Sequence, residues 1–381
     1  MARSVDSEGR QRPPHPKGRS LRDRWILWRN TLLLRERFQY WARHTPIIRN
    51  IARRKAAALH HLTAGFVYSQ VLAALVELEV LETLSQSPKS LEELASELNY
   101  PPEGLARLLQ AGRAIKLLTR LSNGDWIPDE LGAAMLGNPG VAAMVRHHKA
   151  LYRDLEDPVA LFRQRGHTHL SAYWPYAIQA DSSDADIQRY SSLMADSQQL
   201  ISDSILRAYP LSNHRHLLDL GGGIGAFARA AIDHQPGLEV TVLDLPEVVH
   251  SAPETRPEHL SFVTGDMFQC DLPGHPDIVS LIRVLHDHDD APIHDLLARI
   301  YHALPEGGAL LIAEPMAETP RAEAFGDAYF GTYLWAMGSG RPRSAAEISA
   351  FCRKAGFSRC REYPSAMPAL VRILVAHKTK V

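Results

Sequence analysis

Beyond residue 214, short apolar runs alternate with segments whose apolar residues repeat at helical spacing. The runs are Leu217–Leu220, Val240–Leu243, Ser261–Val263, Ile278–Leu281 and Ala309–Ala313, with a last pair near Arg359–Tyr363 and Val371–Ala376. Such runs read as strands, and their alternation with helices predicts an α/β, Rossmann-like domain: a doubly wound, mostly parallel sheet. The earlier half is helical. Ser90-Leu-Glu-Glu93 is a capping box ahead of Leu91, Leu94 and Leu98. Tyr100-Pro-Pro102 turns the chain, Leu105–Leu118 is a second amphipathic helix, and Ser122–Trp126 reads as a hairpin turn. Helix, turn, helix and hairpin give a winged-helix outline, which raises nucleic-acid binding through Arg107, Arg113 or Lys116. The seven glutamates at 77, 79, 82, 92, 93, 97 and 103 argue against it. Residues 125–200 continue mainly helical, with a break at Trp174-Pro175.

The chain of 381 residues, 45% hydrophobic and 22% charged, is long enough for two domains, each with its own core. Its net charge of −1 hides an asymmetry: residues 1–55 hold 15 Lys and Arg against four Asp and Glu. Three segments follow: a basic tryptophan-rich arm (1–54), a helical winged-helix-like domain (55–200) and a sheet domain (201–381). Residues 1–19 have the composition of a disordered tail. Ser20-Leu-Arg-Asp23 then opens one helix carrying Trp25, Trp28, Phe38 and Trp41 among arginines. It is either a peripheral anchor on anionic lipid or an arm packed on its own dimer. Cys270, Cys352 and Cys360 are odd in number and have no metal-ligand spacing, which suits a reducing cytoplasm. No secretory signal is read at the start, and the apolar run Leu62–Val76 falls short of the roughly 20 residues that span a bilayer. The expected location is therefore cytoplasmic, with attachment to the inner or photosynthetic membrane as the consequence of the anchor reading.

Chemistry concentrates at Leu217-Leu-Asp-Leu-Gly-Gly-Gly-Ile-Gly225, followed 19 positions later by Asp244. Gly221, Gly222, Gly223 and Gly225 let the backbone turn sharply and approach a ligand. Asp244, ending the next strand, is placed to accept from ribose hydroxyls. Asp219 discriminates between cofactors. A carboxylate just before the turn would repel a pyrophosphate seated at the helix N-terminus, whereas a sulfonium with an ammonium would favour it. S-adenosylmethionine fits better than NAD or FAD.

With these residues in hand, the chain resembles the plant-type O-methyltransferases, the caffeic acid and hydroxyindole group, over about residues 60–378. The resemblance rests on Leu218–Gly225, Asp244-Leu-Pro246, Gly265-Asp-Met-Phe268, Leu285-His-Asp287, Leu304-Pro-Glu-Gly-Gly308, Glu314 and Ala355-Gly-Phe357. It implies S-adenosylmethionine as cofactor and a homodimer formed through the winged-helix region, with no nucleic acid. Asp219, Gly221, Gly223, Gly225, Asp244, Leu245, Asp266, Met267 and Arg283 would hold the cofactor. His286 would be the base and Glu314 one of two acids orienting it. Ala64–Gln70, Met337–Arg343 and the tryptophan arm are most similar to the carotenoid 1-hydroxyl methyltransferases of purple bacteria, which implies an apolar carotenoid substrate. The bacteriochlorophyllide C-methyltransferases are the nearest alternative.

Two positions depart from the family pattern. Pro342 stands where the second orienting acid belongs, and His288 where an aromatic is usual. A less rigidly held His286 is expected, with Asp287 or His288 left to compensate. His286, Asp287, His288, Asp289, Asp290 and His294 also raise a divalent ion. Neighbours on one loop seldom converge on one ion, so no metal is expected. Tyr190, Met194, Tyr329, Phe330, Tyr333 and Met337 are the candidate walls of an apolar substrate pocket. A winged-helix regulator with a vestigial domain and a nicotinamide oxidoreductase remain as rivals of other classes.

Overall fold

The computed structural model describes residues 20–173 and 198–379 and separates into two compact units, Met1–Val71 and Leu72–Val381. The first opens with α1 (Leu21–Leu33), whose Ser20–Asp23 capping box forms with both hydrogen bonds at 3.1 Å. The single helix expected through Trp41 breaks instead at Leu34–Arg35, and α2 follows (Glu36–His44). No Gly or Pro causes the break; Gln39 Nε2 donates to the freed Leu33 carbonyl at 3.1 Å, and Glu36 suits the positive end of the new helix.

Helix α3 (Pro46–Glu77) runs without interruption through residue 54. Its residues Ile48–Glu77 are, by length and composition, long and apolar enough to cross a bilayer. The shorter run read from sequence is extended upstream by Ala56–Leu59.

In the second unit α4 (Val80–Gln86), α5 (Leu91–Glu97) and α6 (Pro102–Ala114) precede a two-stranded wing, β1 (Leu118–Arg120) against β2 (Trp126–Pro128). Helix α6 ends four residues before the expected Leu118. Lys116, at φ +63°, reverses the chain so that Leu118 can begin the wing strand, fully buried. Helices α7 (Glu130–Leu136), α8 (Pro139–Asp154) and α9 (Pro158–Arg163) follow, and α10 covers 198–208.

The sheet comprises β3 (His216–Leu220), β4 (Glu239–Asp244), β5 (Leu260–Thr264), β6 (Ile278–Ile282), β7 (Ala309–Glu314), β8 (Arg359–Tyr363) and β9 (Arg372–His377). Its order is β5-β4-β3-β6-β7-β9-β8; the first five are parallel, and β9 is antiparallel to both neighbours. Alternate side chains feed two cores: Leu217, Val240, Val242 and Leu311 on one face, Leu218, Leu220, Leu243 and Leu310 on the other. From β3 the chain winds outward to β4, then crosses to β6. Strand order reverses there, which opens a crevice at the carboxyl ends.

Gly132 of α7 lies under the wing, where a Cβ would sit 2.2 Å from the Leu117 carbonyl oxygen. Gly132→Ala is expected to lower stability by about 1–3 kcal/mol. Urea unfolding checks this, and a wild-type midpoint contradicts the packing.

Candidate active site

A cleft of about 490 Å³ opens at the carboxyl ends of β3, β4, β5 and β6. Asp219, at the end of β3, is fully buried. One carboxylate oxygen accepts from Ser280 Oγ at 2.6 Å, while Oδ2 has no partner. Burial lifts this carboxyl to about 7, against the Ser280 hydrogen bond and with a further push from Asp244. The turn above it needs glycine: Gly221, Gly223 and Gly225 have φ of +66°, +61° and +80°, and the space beside Gly223 is open. Asp244 fastens this turn, accepting from Gly223 N at 2.7 Å and from Leu245 N at 2.8 Å. Asp266 orders the next wall through Phe268 N and Gln269 Nε2.

Arg283 follows β6 in the left-handed region at φ +59°, held by its N–H donating to the Ala313 carbonyl at 2.8 Å. A non-glycine residue there is strained, and it redirects the chain into a short turn, Leu285–Asp287. The turn buries His286 between two carboxylates. Its Nδ1 lies 3.3 Å from Glu314 Oε2, which also accepts from the His286 backbone N–H at 3.1 Å, and its Nε2 lies 3.3 Å from Asp287 Oδ1. Burial lowers the affinity of the imidazole for a proton. Asp287 and then Glu314 more than offset this, so the pKa is raised overall. Burial pushes the Asp287 carboxyl up to about 6. A second, small cavity of about 30 Å³ is lined by His286, Tyr329, Phe330, Tyr333 and Met144, and it shares Arg283 and Asp287 with the larger cleft.

This turn is gripped from behind by residues 339–343. Arg343 is wholly buried; Nη1 donates to the Leu285 carbonyl and Nη2 to the His288 carbonyl, each at 2.7 Å, and Nη2 meets Asp290 Oδ1 at 2.6 Å. Ser339 Oγ donates to the Asp287 carbonyl at 2.7 Å. Gly340, at φ +72°, lies so close that a Cβ would come within 2.0 Å of the His286 carbonyl oxygen. The brace lost with Pro342 is thus replaced at the backbone. His288 takes over an aromatic's packing: its ring meets Phe268 edge-on at 4.7 Å, and burial, then His286, hold its pKa down at about 4, so it stays neutral.

Asp219, Gly221, Gly223, Asp244, Leu245, Asp266, Met267 and Arg283 all line the cleft, whereas Gly225 instead caps α11 (Ala226–His234). Beyond α11 lie α12 (Pro246–His250), α13 (Asp290–Ala303) and α14 (Gly331–Met337); Tyr329 and Phe330 wall the small cavity from a π-helical turn, Ala324–Phe330, and Tyr333 from α14. Met337 does not join them. It packs with Leu151, Leu161 and Leu170, because the end of α14 is seated on α8 and α9. Tyr190 and Met194 lie outside the described residues. Sequence reasoning missed Met144, His147 and His148 of α8. His147 and His148 pair with the Tyr333 and Tyr329 hydroxyls at 2.8 and 2.7 Å, and the 144/147/148 spacing on one helix face was the available signal. The acids and histidines of 286–294 disperse: Asp289 pairs with Arg165, Asp290 with Arg341 and Arg343, and His294 packs on Phe351. Among the described residues no group of three ligands is placed to hold a metal ion.

This sheet order, with an acid ending its first strand and a side-chain-free turn beyond it, defines a class: methyltransferases that draw the methyl group from S-adenosylmethionine. Residues 152–358 match the O-methyltransferase domain and 60–133 the O-methyltransferase dimerisation domain. The chain is 41% identical to demethylspheroidene O-methyltransferase of Cereibacter sphaeroides, over 89% of this chain and 92% of that protein. It is 39% identical to the enzyme of the same name from Rhodobacter capsulatus, over 87% and 85%. Human N-acetylserotonin methyltransferase in complex with S-adenosylmethionine superposes with a TM-score of 0.73 at 26% identity, over 86% of this chain and 98% of that one. The chain belongs to the plant-type O-methyltransferase family and is an S-adenosylmethionine-dependent O-methyltransferase. Its residues fit that cofactor: the unpartnered Asp219 oxygen offers an acceptor to a cation, and the open space at Gly223 offers room.

Because folding raises the Asp219 pKa above its ordinary value, the group weakens the folded chain progressively as pH climbs toward 7 and fully above it. At pH 8, Asp219→Asn is expected to stabilise the cofactor-free protein by on the order of 1–4 kcal/mol while weakening cofactor binding at least about tenfold. Thermal unfolding and calorimetry check both, and a destabilised variant with native affinity contradicts the assignment. Arg343→Gln should lower kcat about 10–100-fold with KM and cofactor affinity nearly unchanged, and Arg343→Lys should restore part of it. Native turnover in the Gln variant contradicts the brace.

Proposed function

We propose that the chain methylates the tertiary 1-hydroxyl of an acyclic carotenoid, the acceptor implied by its resemblance to the carotenoid 1-hydroxyl methyltransferases and in keeping with its relatives from Cereibacter sphaeroides and Rhodobacter capsulatus, which are named demethylspheroidene O-methyltransferases. The observation that carries the reading is the small aromatic-walled cavity at His286, which shares Asp287 and Arg283 with the cofactor cleft. Its size suits one hydroxyl and its nearest atoms, and the remainder of the acceptor would need apolar walls such as Phe330 and Met144 provide.

In this reading Asp219 meets the amino acid end of S-adenosylmethionine and Asp244 its ribose, while Asp266, Met267 and Leu245 bound the base and Gly221 and Gly223 floor the site. When bound, that cofactor supplies an electrophilic methyl group on a sulfonium. The protein's larger contribution is alignment, since well-oriented pairs can gain about 7–11 kcal/mol. His286 takes the hydroxyl proton as the new bond forms. Full deprotonation of a tertiary alcohol by imidazole beforehand is excluded by the gap between their acidities, so the proton moves in concert with methyl transfer. Glu314 stabilises the imidazolium and fixes the ring, and Asp287 does so from the other side.

The enzyme works as a homodimer. Leu62, Phe66 and Val67 are exposed on α3 within the dimerisation domain and offer an apolar surface to a second copy. A carotenoid resides in lipid, so the chain acts at the cytoplasmic face of a membrane.

His286→Ala is expected to retain cofactor affinity and lose about 10²–10⁴ in turnover. In the wild type, kcat/KM should rise with pH through an acid limb above the ordinary histidine value of about 6.5. Glu314→Gln removes a carboxylate that favours the imidazolium, so the limb should move to lower pH while the plateau falls. A limb that stays put separates Glu314 from the base. Labelled S-adenosylmethionine incubated with pigment extracts identifies the acceptor; label outside the carotenoid fraction overturns the substrate assignment.

A further inference from the structure

In α1, Leu21, Trp25, Trp28 and Leu32 recur at intervals of four, three and four residues and line one side of the helix, while Ile26, Leu27 and Leu33 lie off that side. Leu21, Trp25 and Trp28 are 82%, 55% and 62% exposed, and no side chain of α1 is buried. At 100° per residue, Arg24 flanks the stripe on one side and Arg22 and Arg29 on the other, all exposed. The Arg29 guanidinium lies 5.1 Å over the Trp25 ring. The helix's sole acid, Asp23, is on the opposite face and is engaged in the capping box. In α2 the rings of Phe38 and Trp41 pack at 5.7 Å on one side, with Arg37 exposed nearby.

We propose that α1 and α2 are a docking surface for an anionic lipid bilayer, lying in the plane of the headgroups. Tryptophan rings partition to the boundary between headgroups and acyl chains, and arginines beside them extend to lipid phosphates while their stems cover apolar surface. Charge complementarity selects the partner: residues 20–55 carry ten Lys and Arg against two acids, and a bilayer bearing negative headgroups supplies the missing charge at the same depth as an apolar layer. A second copy of this chain would bring the same positive charge to the contact. The inference deepens the proposed membrane-surface placement, yet its test uses lipid alone, so its failure leaves the acceptor assignment standing.

The full-length protein is sedimented with vesicles of mixed phosphatidylglycerol and phosphatidylcholine, and with vesicles of phosphatidylcholine alone. Binding to the mixed vesicles should be at least about tenfold tighter and should weaken with added salt. Trp25→Ser with Trp28→Ser should reduce it at least about tenfold, and Arg24→Gln with Arg29→Gln should reduce the preference for anionic vesicles, in both cases with cofactor affinity and sedimentation as a dimer unchanged. Absence of vesicle binding, or native binding by the tryptophan variant, overturns the proposal. So does loss of the dimer in that variant with vesicle binding retained, which assigns the stripe to a second copy.

Discussion

One buried carboxylate organises the catalytic half of this molecule. Asp219 must end β3 in the middle of a parallel sheet, where no water reaches it, and only one of its two oxygens has a partner. Leaving a buried polar atom unmatched costs stability that a protein built only to fold would avoid. The glycine turn lies directly on this carboxylate: a Cβ at Gly222 would come within 2.4 Å of the unpartnered Oδ2, Gly221 and Gly223 take positive φ, and Asp244 fastens the turn by accepting from Gly223 N.

The acceptor side shows the same economy applied to orientation. His286 is set between Glu314 and Asp287, and its backbone is clamped by Arg343 and Ser339. A second orienting acid at position 342 would have restrained the ring directly. Here the restraint acts on the turn that carries the ring, and a proline at 342 donates nothing that the clamp needs. The two carboxylates also keep the imidazole basic despite its burial, which suits an acceptor hydroxyl much less acidic than a phenol.

Much of this was legible in the sequence because it depends on short-range rules. The five parallel strands were readable from apolar runs between helices, and Asp219, Gly221, Gly223 and Asp244 from their spacing around one turn. The break at Leu34–Arg35 was not, since no residue there disfavours helix and the closing bond comes from Gln39. Leu118 was read as the end of a helix because a single leucine fits both a helical face and a wing strand; the left-handed Lys116 decides between them. Arg343 was hidden for another reason. Its partners are backbone carbonyls and an acid some fifty residues away, and a charged residue gives no sequence signal that it will be buried. Met337 shares an aromatic-rich segment with Tyr333, yet packing on α8 and α9 assigns it to the core.

The fold therefore places a buried carboxylate and a restrained histidine on either side of Asp287 and Arg283, where in the proposed reading methyl donor and acceptor meet. If Asp219 awaits a positively charged ligand, its carboxyl, held at about 7 in the free protein, must lose its proton when S-adenosylmethionine binds. Calorimetric titration at pH 7 in buffers of differing ionisation enthalpy measures that directly. The account requires net proton release on cofactor binding at pH 7 that declines as the pH is raised. Binding with no proton exchange at pH 7 would contradict it.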